Sequence, residues 1–88
     1  MNKQNFELTP RELNVTRETL KGKSTKQIAD SLFITEHTVK AHLKNIFTKT
    51  GTKRRIELIS KLFAIILENN ISDSQLNTAI NSLILYKK

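Results

Sequence analysis

Cysteine and tryptophan are absent from this 88-residue chain, and proline occurs once and glycine twice. Without a thiol there is no disulfide framework, no thiolate zinc site and no cysteine nucleophile, so packing alone has to hold the fold. No run of about 18 apolar residues occurs, and the polar start MNKQNFELT lacks the apolar stretch of a signal peptide. Neither membrane insertion nor secretion is indicated, and the cytoplasm is the expected location. The machinery of catalysis is missing too. The only aspartates are Asp30 and Asp73, and no serine stands in a nucleophile-elbow pattern. His37 and His42 are five residues apart on different helix faces, whereas metal-binding helices space their histidines by four. The expectation is a non-enzyme with no metal and no cofactor. A hydrophobic fraction of 38% over this length suits one small domain with a modest core.

What the chain does carry is an uneven charge. Its net +7 is concentrated between Lys21 and Arg55, where nine bases meet only Asp30 and Glu36, and the rest of the chain sums to zero. Such a segment sets up a local positive field, which attracts a polyanion because neutralised phosphates release condensed counterions.

Helix starts are written in short motifs. In TPRE, Thr9 can cap, the single proline, Pro10, takes the first helical position, and Glu12 can reach back to complete a capping box. This first helix should end at Gly22. STKQ repeats the device with Ser24 and Gln27 and opens a short second helix to about Leu32, with Ile28, Ala29 and Leu32 on one side. After the apolar turn residues Phe33 and Ile34, Thr35 caps a third helix that runs to about Thr50 and stops at Gly51. The basic loop KRR leads into a fourth helix from about Arg55 to Glu68, and SDSQ, with Ser72 as cap and Gln75 as its partner, starts a fifth. No strand-like alternation is seen. Phe6, Phe33, Phe47, Phe63 and Tyr86 stand beside aliphatic residues at helical spacing and are expected in the core rather than stacked on bases.

At about 100° per residue the third helix separates into two faces. Val39, Leu43, Ile46 and Phe47 share one arc and should pack on the first two helices, while His37, Lys40, Ala41, Lys44 and Thr48 share the opposite one. The latter arc suits a major groove, where long cations reach guanine O6 and N7 and a small side chain meets a thymine methyl. Lys40, Lys44 and Ala41 supply those parts. Thr38, Asn45 and Lys49 flank the arc toward the core, placed to bond phosphates, and the amides of Ser24, Thr25 and Lys26 offer a second phosphate contact at a helix start.

LTPRE, GKSTKQIA, ITEHTVKAHLKNIF and KTGTKRR occur in the order and spacing of one family, and from Leu8 to roughly Lys61 the chain resembles the LuxR-type (GerE-like) helix-turn-helix transcription regulators. The resemblance implies a four-helix DNA-binding domain with its third helix in the major groove, usually dimeric through the fourth. Carried onto matching positions, it implies base contacts at Lys40, Ala41 and Lys44, and backbone contacts near Ser24, Lys26, Thr35, Thr38, Asn45, Lys49 and Arg55. Thr16 and Thr19 depart from the family pattern by standing where apolar residues are usual. No receiver or small-molecule-binding domain precedes the motif, so the chain reads as a freestanding regulator or an excised fragment, and the starting methionine favours the former.

The expected fold is therefore all-α: a helix-turn-helix bundle of four helices over 1–68, with an additional C-terminal fifth helix in an extension over 69–88. The fourth helix is apolar over more than half its circumference. Ile56, Ile59, Leu62, Phe63, Ile66 and Leu67 form one broad arc that Leu58 and Ile65 extend, which is more than one packing face needs. Leu62, Ile65 and Ile66 are the expected dimer contacts. Leu76, Ala79, Ile80, Leu83 and Ile84 form a further stripe for packing within the chain or across a two-fold axis. The leading expectation is a homodimer reading two half-sites in double-stranded DNA, with RNA polymerase or another regulator as a further candidate partner. The alternatives are an anti-activator that dimerises with a larger relative through helices four and five, against which the lysine face argues, and promoter-recognition region four of a sigma factor, which NIFTKTGTKRR fits less well.

Overall fold

The computed structural model describes residues 7–69 and residue 75, and all regular structure over 7–69 is α-helical, in four helices: α1 (Pro10–Leu20), α2 (Thr25–Leu32), α3 (Glu36–Thr50) and α4 (Arg55–Asn69). The segment from Ser72 onward, where a fifth helix is expected, lies outside the described residues apart from Gln75, as do Phe6 and Tyr86.

Both capping boxes form. Thr9 Oγ1 accepts from the Glu12 amide at 3.1 Å, and Glu12 Oε1 accepts from the Thr9 amide at 2.9 Å. Ser24 and Gln27 repeat the exchange at 3.2 and 2.9 Å. Thr35 caps α3 by accepting from the Thr38 amide at 3.1 Å. Each cap satisfies backbone donors that a helix start otherwise leaves unpaired. At the other ends, α1 stops at Leu20, one turn residue before Gly22, and Gly51 ends α3 with φ 74°. That left-handed conformation costs glycine nothing.

α3 packs on both α1 and α2, and α4 joins the bundle through α1. Leu8, Val15, Ile28, Ala29, Val39, Leu43, Ile46, Leu58 and Leu62 make the core, with Leu13, Leu20, Leu32, Ile34 and Phe47 packed around it. Thr16 and Thr19, polar residues on the inner face of α1, are wholly buried. Their hydroxyls donate to the carbonyls of Glu12 and Val15 at 2.9 and 2.8 Å, which removes the penalty of burying them. Thr50 bonds the Ile46 carbonyl in the same way at 2.8 Å and shares a hydroxyl contact with Thr52 at 2.9 Å.

Two aromatics expected in the core are not there. Phe33 is 93% exposed, because it closes α2 in the left-handed region at φ 59°, ψ 43° and Ile34 takes the inward place. Phe63 is 48% exposed, since α4 turns Leu58 and Leu62 inward instead. The broad apolar arc of α4 thus divides in two. Leu58 and Leu62 meet the core, while Ile56, Phe63 and Leu67, spaced by seven and four along the opposite side, remain outside.

Candidate nucleic-acid interface

The helix-turn-helix places α3 with one face sealed and one free. Val39 and Ile46 are fully buried and Leu43 nearly so, whereas His37, Lys40, Ala41, Lys44 and Thr48 are all exposed. The three residues expected to touch bases, Lys40, Ala41 and Lys44, therefore sit together on an open surface. Asn45 is exposed on one flank beside them, and Thr38 is half-buried with its hydroxyl 2.9 Å from that of Thr35. Ser24 and Lys26 are exposed at the start of α2.

Two of the residues expected at phosphates, Lys49 and Arg55, are engaged inside the chain. The Lys49 ammonium donates to Glu12 Oε1 at 2.8 Å and to the Glu7 carbonyl at 3.2 Å, tying the end of α3 to the start of α1. Glu12 is 4% exposed. Burial pushes its carboxyl up, but the bonds from Lys49 and the Thr9 amide, helped by the charges of Lys49 and His42, outweigh burial and hold it below the usual carboxylate range. The Arg55 guanidinium donates to the Lys23 carbonyl and to Thr25 Oγ1, both at 2.9 Å, and so braces the start of α2 from α4. Both side chains act on the rigidity of the bundle, a role that no local motif announces. Leu62, expected between two protomers, is 1% exposed within one chain and belongs to the core. Of Ile65 and Ile66 only the backbone, in α4, is described.

The basic segment therefore divides by partner. Lys21 and Lys23 both bond Glu18, whose carboxyl is lowered first by the Lys23 bond. Lys49 is on Glu12 and Arg55 on backbone and hydroxyl oxygens. Among the described residues Lys26, Lys40, Lys44, Lys53 and Arg54 hold no ion pair, and all five are exposed. No group of three His, Cys, Asp or Glu side chains that could hold a metal occurs among the described residues, and no helix there is long and apolar enough to cross a membrane.

Known proteins share the sequence of this segment. The family described as "Bacterial regulatory proteins, luxR family" matches residues 7–62. A nitrate/nitrite response regulator protein homolog of Haemophilus influenzae is 47% identical over 49 residues, covering 56% of this chain and 24% of the relative. The uncharacterized transcriptional regulatory protein YhcZ of Bacillus subtilis is 43% identical over 60 residues, 68% of this chain and 27% of the relative. The CsgBAC operon transcriptional regulatory protein of Escherichia coli is 45% identical over 53 residues, 60% of this chain and 24% of the relative. The matched segment thus spans about a quarter of the length of these relatives. No solved structure matches the chain.

Proposed function

Because the chain belongs to the luxR family of bacterial regulatory proteins, we propose that it regulates transcription by binding double-stranded DNA sequence-specifically, as a homodimer on two half-sites with α3 in the major groove. One observation carries this reading: α3 turns Lys40, Ala41 and Lys44 outward with neither lysine paired, directly opposite a face closed by Val39 and Ile46. Lys40 and Lys44 would meet guanine edges and Ala41 a thymine methyl. Ser24, Lys26, Thr35, Thr38 and Asn45 would position the helix against phosphates, joined by Lys53 and Arg54 at the loop before α4. Lys49 and Arg55 hold the frame to which these groups are attached. Dimerisation is supported by the exposed stripe Ile56, Phe63 and Leu67, since apolar surface of this kind on a small domain marks a contact. The reading places the protein in the cytoplasm.

Titrating a labelled duplex with the full chain from low to moderate salt tests the proposal. Each neutralised phosphate contributes about −0.9 to the slope of log K against log salt, so the five unpaired cations of the basic segment contribute at most about −4.5 per chain and about −9 for a dimer. Absence of duplex binding at low salt would reject the reading in favour of a protein-binding anti-activator.

A further inference from the structure

Beside the two lysines lies a feature that hydrogen-bond readout leaves unused. A hollow of 360 Å³ opens on one flank of α3, lined by Lys40, Leu43, Lys44, Phe47, Thr48 and Thr52. Its floor is apolar, made by Leu43, 6% exposed, and the half-buried Phe47 ring. Both threonine hydroxyls are engaged within the chain, that of Thr48 donating to the Lys44 carbonyl at 3.0 Å and that of Thr52 on Thr50 at 2.9 Å. The stems of Lys40 and Lys44 form the rim, with their ammonium groups free to extend beyond it.

A group that fits such a place is apolar yet carried on a polyanion. In the major groove of duplex DNA that group is the thymine 5-methyl. A sugar would also fit, but every nucleotide has one. Resting on the reading of α3 as a major-groove helix, we infer that the hollow is a thymine-selecting subsite, with Phe47 and Leu43 as its specificity-determining residues. Lys40 and Lys44 are one turn apart, about 6 Å along the axis, which corresponds to roughly two base steps of 3.4 Å. The subsite therefore spans one or two adjacent thymines. It is separate from Ala41, which lies on the far side of the Lys40–Lys44 row.

The test uses the full chain and a duplex enriched by it from a random pool. Each thymine is replaced singly by deoxyuridine, which deletes only the methyl. The expected result is about a fourfold loss of affinity at one position or two adjacent ones, from burial of one methyl group, in addition to any position read by Ala41. 5-Iodouracil at the sensitive position should photocrosslink to Phe47 in the unmutated protein, and in Phe47→Asn the thymine–uracil difference there should vanish while that at the Ala41 position persists. The crosslink stands as evidence even if Phe47→Asn fails to fold. Duplex binding that is indifferent to uracil at every thymine, or sensitive positions that crosslink only at Ala41, overturns the subsite and leaves the DNA-binding reading intact. If no duplex is enriched, both fall.

Discussion

Lys49→Met deletes the ammonium that joins α3 to α1 while keeping most of the aliphatic stem. The Glu12 side chain is 5% exposed and that of Lys49 21%, so the carboxylate is the partner that cannot reach water once the pair is broken. Exposed pairs contribute about 0–1 kcal/mol and breaking a fully buried one costs about 3–5 kcal/mol. An intermediate loss of about 2 kcal/mol at pH 7 is expected, since the Thr9 amide still bonds the carboxylate. The sign of the pH dependence follows from the lowered carboxyl of Glu12. In the wild type its stabilisation is present above the ordinary carboxylate value of 4.5 and is lost as pH falls through the lower folded-state value. Without Lys49, burial dominates and the carboxyl moves up, so acid relieves the variant. The stability gap between the two proteins should be widest near neutrality, narrow as pH falls through the variant's raised carboxyl value, and close below the wild type's lowered one. Urea unfolding followed by circular dichroism at pH 7 and pH 4 measures it, and the salt slope of duplex binding should match wild type. An equal gap at both pH values, or a slope smaller by about one, would refute the argument, the latter by showing that Lys49 neutralises a phosphate.

Lys44→Ala removes an outward cation from the reading face, so it should cost about 1–3 kcal/mol on the preferred site and relax the preference at one base pair; uniform weakening on all duplexes would mean that α3 is rotated differently in its groove. Phe63→Glu puts a charge into the exposed stripe of α4. It should lower the mass in sedimentation and weaken a two-half-site duplex more than a single half-site, and a wild-type chain that stays monomeric at high concentration and on DNA would contradict this. Phe33→Gly relieves a left-handed conformation worth roughly 1–2 kcal/mol against a backbone-entropy cost of about 0.5–1 kcal/mol. With the ring 93% exposed no burial is lost, so urea unfolding should show a net gain of about 0.5 kcal/mol, and a loss would mean that the ring has a partner.

The helix starts were legible because a cap is a local event: Thr9 with Glu12 and Ser24 with Gln27 are three residues apart, and the same spacing appears in the structure. The two faces of α3 were legible because a 3.6-residue period needs no knowledge of the partner. Where a signal depends on a distant element, reading stops. Lys49 finds Glu12 across 37 residues and Arg55 finds Thr25 across 30, and neither separation carries a pattern. In α4 the period shows that apolar residues are abundant, but which half meets α1 is decided by the bundle, so Leu62 goes inside and Phe63 out. Phe33 misleads for another reason. Its hydropathy suggests the core, while the left-handed turn that ends α2 points it away. The same distinction governs charge. Composition counts a lysine bonded to glutamate like one facing solvent, and the nine bases from Lys21 to Arg55 would suggest a salt slope of about −8 per chain. Removing Lys21, Lys23, Lys49 and Arg55, whose side chains are engaged within the fold, leaves about −4.5 from this segment, so the measured slope discriminates between charge that builds the domain and charge available to a ligand.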